Sequence, residues 1–147
     1  MPTHGETRIL PYTPDQMYDL VSDVRRYPEF LPWNSAARVR SQRERADGSI
    51  ELEADMVISF KVFRERFGSR AVLVPKTRLD MEYLDGPFKY MKSHWEFRDH
   101  PEGCEIEFFV DFEFKNAVLQ KLIGVVFYEA MNRIVKAFEA RAKELYG

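Results

Sequence analysis

Residues 116–146 read NAVLQKLIGVVFYEAMNRIVKAFEARAKELY, and the periodicity of this stretch decides the fold. Asn116 is a good helix N-cap, and no proline interrupts the run from Ala117 to Tyr146. Leu119, Ile123, Phe127, Met131, Ile134, Phe138, Ala142 and Leu145 recur at steps of three or four, which sets them on one stripe of an α-helix. A helix of that length spans about 45 Å. Such a rod needs a broad apolar surface to lie on, and the preceding chain supplies strands.

The clearest strand leads straight into the helix. Cys104, Ile106, Phe108, Val110, Phe112 and Phe114 alternate with Glu105, Glu107, Asp111 and Glu113, which predicts one buried and one wet face. Ile50, Leu52, Ala54, Met56, Ile58 and Phe60 alternate in the same way with Glu51, Glu53 and Asp55 after an Asp47-Gly48 hairpin turn. Further strands are predicted over 39–45, 62–74, 79–84 and 90–98, the last with Met91, Ser93, Trp95 and Phe97 on one face. Glu6 to Leu10 reads as a short first strand. Thr13-Pro14-Asp15-Gln16 starts a helix with a capping box and proline at the first turn, and Met17, Leu20, Val21 and Val24 form its apolar face. The prolines of Tyr27-Pro28-Glu29-Phe30-Leu31-Pro32-Trp33 predict a short turn and a connection. Phe30, Leu31 and Trp33 there either cap one end of the core or form a lid over a cavity. Short connections make neighbouring strands antiparallel, so the expectation is an α+β fold: a curved sheet, covered on one side by the long helix. Residues 1–147 are read as one domain.

The helix is uneven. Glu129, Arg133, Lys136 and Lys143 form a polar face in its second half, laced by Glu129–Arg133 and Glu139–Lys143 spacings. The same face projected back meets Val118, Leu122 and Val125. Either this end is buried on two sides under the 30–33 segment, or it exposes a greasy patch for a membrane or a partner. On this reading 131–145 clamps the sheet, and 117–127 is where a ligand finds its way in.

Composition narrows the function classes. An aromatic fraction of 14%, with twelve Phe and seven Tyr, suits a cavity for a flat or greasy ligand as well as ordinary packing. A net charge of −2 gives no overall electrostatic case for nucleic acid, and no DNA partner is expected. A lone cysteine, Cys104, allows no internal disulfide. No signal peptide or membrane span is read, which points to a cytoplasmic protein, peripheral at most at the inner membrane. His4, His94 and His100 lack metal-ligand spacing, so no metal and no required cofactor are expected. No nucleophile elbow, P-loop or dinucleotide fingerprint is present. Cys104 falls in the apolar phase of its strand and reads as a buried, inert thiol. Glu65 shares a phase with Phe63 and Phe67, and a carboxyl facing an apolar cavity could serve as acid or base; the register leaves its facing open.

The order of elements, together with Asp23-Val24-Arg25-Arg26-Tyr27-Pro28-Glu29-Phe30-Leu31-Pro32-Trp33, Asp85-Gly86-Pro87-Phe88-Lys89, Trp95-Glu96-Phe97 and the last strand, resembles the coenzyme Q-binding START-domain family. That family lies within the polyketide cyclase/START helix-grip superfamily and also includes the bacterial ribosome-association toxin. The resemblance implies a START-like helix-grip fold: a seven-stranded antiparallel sheet gripping the C-terminal helix, with one or two short helices after the first strand. It implies a non-enzymatic protein that binds ubiquinone or a related polyprenyl quinone and supports respiration and quinone biosynthesis. It leaves two alternatives, a toxin–antitoxin component that acts on a ribosomal subunit and a cyclase-type enzyme acting on an aromatic polyketide.

Under the carrier reading, the candidate cavity wall is Met56, Ile58, Phe60, Met81, Tyr83, Trp95, Phe97, Phe108, Val110 and Phe112. The candidate mouth is Phe30, Leu31, Trp33, Leu122, Ile123, Val126 and Phe127. The candidate membrane or partner patch is Val118, Leu122 and Val125.

Overall fold

The computed structural model describes residues 3–60 and 63–147; the side chains of Phe60, Phe63 and Val126 also lie outside the described set. Strand β1 (Thr3–Leu10) leads to helix α1 (Pro14–Ser22) and a 3-10 helix (Val24–Glu29). Strands β2 (Asn34–Glu44), β3 (Ile50–Phe60), β4 (Phe63–Val74), β5 (Arg78–Asp85), β6 (Phe88–His100) and β7 (Gly103–Phe114) follow, and helix α2 (Ala117–Tyr146) closes the chain. The seven strands form one antiparallel sheet in the order β1-β7-β6-β5-β4-β3-β2. β1 therefore sits at one edge beside β7. The chain crosses through α1 and the 3-10 helix to begin β2 at the other edge. Register shifts in β2, β5 and β6 mark bulges, the local device that bends strands into a curved sheet.

Local chemistry sets the helix ends. Thr13 and Gln16 make the reciprocal capping box that starts α1. Asn116 accepts from the backbone N–H groups of Val118 and Leu119 to start α2, and Gln120 Oε1 accepts from Phe114 N at 2.8 Å, which ties the helix to the strand before it. Proline 28 lies inside the 3-10 helix, whose tighter turns suit so short an element. Tyr27 is buried there, and its hydroxyl donates to the Val21 carbonyl.

The inner face of the sheet and the underside of α2 form the core. Leu119, Ile123, Phe127, Met131, Val135, Phe138 and Ala142 are buried along α2, whereas Leu145, assigned by periodicity to the same stripe, is 50% exposed where the helix outruns the sheet. α1 plugs the far end with Met17, Tyr18 and Val21. Cys104 is buried at that end, and burial pushes its thiol up to about 11. The outer face is a ladder of alternating charge. Glu51 meets Arg43 and Arg45, Asp55 meets Arg40 and Arg66, and Arg98 reaches Glu96, Glu105 and Glu107. Among the described residues, no helix is long and apolar enough to cross a membrane.

Candidate functional site

The core is incompletely filled. Between the sheet, α2 and the 27–34 segment lies a cavity of about 240 Å³. This is just under the range of about 300–1,000 Å³ usual for sites that take drug-sized ligands. Tyr27, Leu31, Pro32, Trp33 and Asn34 border it on one side. Met56 and Ile58 of β3, Glu65 and Phe67 of β4 and Met81 of β5 continue the wall. Phe88, Met91, Ser93 and Trp95 of β6 with Phe108, Val110, Phe112 and Phe114 of β7 make the floor. From α2, Leu119, Ile123, Ala130, Met131, Ile134 and Phe138 form the roof. Met56, Met81, Met91 and Met131 are four of the chain's six methionines, and their flexible, polarizable thioethers let such a wall adapt to a guest. The inner end is aromatic: the Trp95 ring centroid lies 4.5 Å from that of Phe108 and 4.9 Å from that of Phe138.

The lining is almost wholly apolar, with polar side chains at two levels. At the open end Asn34, Ile58 and Glu65 are successive partners across β2, β3 and β4, so the amide and the carboxyl share one row. The Asn34 amide donates weakly to Met56 Sδ at 3.8 Å, and its buried Oδ1 has no hydrogen-bond partner among the described residues. Deeper in, Ser93 pairs with Met81 on one side and Val110 on the other, both of them floor and wall residues. Trp33 at the mouth has φ 63°, a left-handed conformation that costs a bulky residue about 1–2 kcal/mol, and a bond from Ser59 N to Trp33 O at 2.8 Å helps to hold it there.

Of the wall residues expected from the sequence, Met56, Ile58, Met81, Trp95, Phe108, Val110 and Phe112 line the cavity. Tyr83 does not: it stands behind Phe88, with rings 5.5 Å apart, and its hydroxyl accepts from Phe88 N. Phe97 is one step too deep, beyond Trp95 and against Tyr18 of α1. At the mouth Leu31, Trp33 and Ile123 line the opening. Phe30 packs on the outer side of Tyr27 and Phe138 with Arg141 over its ring, and Phe127 turns toward Phe112 and His4. Leu122 is half-buried on the flank of α2, outside the lining. Phe60 and Val126 fall outside the described side chains.

Reading inward phases alone missed Phe67, Phe88 and Met91 as lining residues. The division of α2 into a clamp and a way in also needs correction, because Met131, Ile134 and Phe138 from the supposed clamp roof the cavity. Val118 and Val125 are 63% and 81% exposed, joined by Tyr128 at 70%, so burial under the 30–33 segment does not occur. Glu65, whose facing the sequence left open, lies on the cavity rim.

No histidine or cysteine is among the lining residues, and among the described residues no three His, Cys, Asp or Glu side chains gather as a metal site would require.

Comparison with known proteins narrows the reading. The profile of the polyketide cyclase / dehydrase and lipid transport family matches residues 10–139. The ribosome association toxin RatA of Rickettsia prowazekii is 39% identical over 143 residues, covering 95% of this chain and 94% of that protein. The mitochondrial coenzyme Q-binding protein COQ10 homolog B of Xenopus laevis is 30% identical over 149 residues, covering 98% of this chain and 59% of that protein. A START superfamily protein from Mycobacterium smegmatis superimposes with a TM-score of 0.78 at 16% identity, covering 97% of this chain and 98% of that one; this likeness concerns the fold alone.

Proposed function

The chain belongs to the polyketide cyclase / dehydrase and lipid transport family, with a START-like helix-grip fold, and from that premise we propose that it is a non-enzymatic carrier for a polyprenyl quinone, ubiquinone or a precursor. The observation that carries the reading is the preformed apolar cavity between sheet and helix, lined by thioethers and aromatic rings and large enough for a substituted ring with a short stretch of tail. The likeness to a protein named for coenzyme Q binding supports the same ligand class. The exposed apolar side chains on the first half of α2 give such a carrier a place to touch a membrane surface and collect its cargo. The lining favours binding over catalysis. Among the described residues its only carboxyl, Glu65, sits on the rim, and no base of the lining stands beside Ser93 to activate it as a nucleophile.

A second reading has its own support, since the relative at 39% identity is named as a ribosome association toxin and matches nearly end to end. The charge pattern supports it less. Arg40, Arg43, Arg45, Arg66 and Arg98 on the outer face each meet a carboxylate, whereas a surface for RNA phosphates would leave such cations available.

One experiment separates the two. Protein purified from quinone-producing cells is extracted with organic solvent, and the extract is examined by ultraviolet spectrum and mass. A stoichiometric polyprenyl quinone is expected. An empty extract, with the protein co-sedimenting with ribosomal subunits, overturns the carrier reading.

A further inference from the structure

Ser93 stands where the fold calls for an apolar residue. On β6 it occupies the inward phase between Met91 and Trp95, both buried. Across the sheet its partners are Met81 and Val110, so it sits mid-floor with cavity-lining neighbours on both sides. Its hydroxyl makes no hydrogen bond to another described residue. Ser93 is half-buried, so its hydroxyl is reachable from the cavity rather than sealed in the core, and on an otherwise apolar floor it is left for a cavity occupant to match. The match here is a group brought by the ligand.

The surroundings say what kind of group. One step along β6 is Trp95, tilted against Phe108 and edge-on to Phe138, and across the strand pair from Ser93 is Met81 with its thioether. Aromatic faces and a thioether around one hydroxyl suit a flat ring bearing an oxygen at its edge. A serine hydroxyl both donates and accepts, so it serves a ring carbonyl or a ring hydroxyl. Of the other polar side chains of the lining, Tyr27 has its hydroxyl engaged by the Val21 carbonyl, and Asn34 and Glu65 lie in the rim row. Along β4 that row is about 20 Å of strand from Ala71, which is the residue level with Met81 and Ser93. Two polar levels at that spacing do not serve one ring.

We infer that Ser93 is the head-group site of the cavity: it hydrogen-bonds a ring oxygen of a quinone-type ligand seated ring-first against Trp95 and Phe108, with the tail leaving through the mouth past Leu31, Trp33 and Ile123. The inference rests on the carrier reading and adds the orientation of the cargo and the residue that selects its head.

The test compares two probes by calorimetry on the wild-type protein, Ser93→Ala and Ser93→Thr. One probe is a benzoquinone carrying a single prenyl unit; the other is an oxygen-free isoprenoid hydrocarbon of similar size. Ser93→Ala is expected to weaken the quinone about tenfold, the range of one hydrogen bond in an apolar site, and to leave the hydrocarbon within about twofold. Ser93→Thr keeps the hydroxyl and is expected to keep most of the quinone affinity. If wild type and Ser93→Ala bind the quinone equally, the head-group assignment is overturned and the carrier reading stands. Equal weakening of both probes also overturns it, since that is an effect of shape. If the wild-type protein binds neither probe, the carrier reading itself falls.

Discussion

Val125→Asp separates the proposed membrane contact from the fold. Val125 is 81% exposed, Val118 63% and Tyr128 70%, and at 100° per residue the three share one strip of α2 with Lys121 between them. Fully burying a valine is worth about 1.5 kcal/mol at the low end. Scaled by exposure, Val125 supplies about 1.2 kcal/mol and Val118 about 0.9 kcal/mol on entering an apolar boundary, with a similar share from the tyrosine ring. The sum, about 3 kcal/mol, corresponds to about a hundredfold in partition coefficient. Lys121 adds about 1 kcal/mol on an anionic surface.

Aspartate at 125 removes the largest valine share and places a carboxylate at the boundary. Binding to phosphatidylglycerol-containing vesicles, measured by flotation, is therefore expected to fall at least about tenfold. The melting temperature should hold, because the side chain is exposed and valine and aspartate have similar helix propensities. Leu122→Asp would be a poorer probe, since Leu122 is half-buried and its loss would mix stability with binding. Equal flotation of wild type and Val125→Asp, with both folded, refutes the membrane patch.

Gly86 has φ +135°, and a Cβ there would stand 2.7 Å from both Arg66 O and Phe67 Cβ, so Gly86→Ala is expected to cost about 2–3 kcal/mol, read as a lower urea midpoint. The Arg40 guanidinium, bonded to Asp55, holds the Asp55 carboxyl below its ordinary value, with Arg66 adding to the effect. The stability from this pair is therefore full above the unfolded carboxylate range and is lost as pH falls through the lower folded value; Asp55→Asn should flatten that acid limb in pH-dependent urea melts. Cys104, buried and pushed up to about 11, should react slowly with iodoacetamide at pH 8 in the native protein and rapidly once urea unfolds it.

What the sequence made legible follows from the range of the interactions that decide each feature. The bounds of α2 depend on Asn116 and on an uninterrupted periodic run, both local, and they fall where expected. The inward phase of β7 likewise follows from strict alternation. Depth along a strand is a different matter. Trp95 and Phe97 share a phase on β6, yet Trp95 lines the cavity and Phe97 is plugged by Tyr18. The difference comes from where α1 packs against the sheet, which no pattern within β6 records. Tyr83 fails for a related reason, because Phe88 at the start of the next strand stands in front of it. Glu65 needed the register of the β3–β4 pairing, which puts it opposite Ile58. Ser93 was in the inward phase in plain view; its importance emerges only once the floor around it is seen to be unfilled.

The size of the cavity bears on how a carrier would work. About 240 Å³ does not enclose a long polyprenyl chain, so on the carrier reading most of the tail stays outside the sheet-and-helix grip. That arrangement is physically sensible. Measured from water, each enclosed methylene contributes about 0.8 kcal/mol, and a long enclosed tail would approach the limit of non-covalent affinity, about 18–21 kcal/mol. Measured from a bilayer, where the tail is already out of water, the same enclosure contributes almost nothing, because lipid is as apolar as the cavity. Selection of cargo from a membrane must then come from the ring, through shape against Trp95 and Phe108 and a hydrogen bond at Ser93. Release stays possible for the same reason: the ring leaves a small site, and the tail never left an apolar surface. The lining residues Leu119 and Ile123 and the exposed Val118 and Val125 belong to the same stretch of α2, on its inner and outer sides. A tail emerging past the first pair meets the surface formed by the second, so a small cavity and an apolar helix face become two parts of one device.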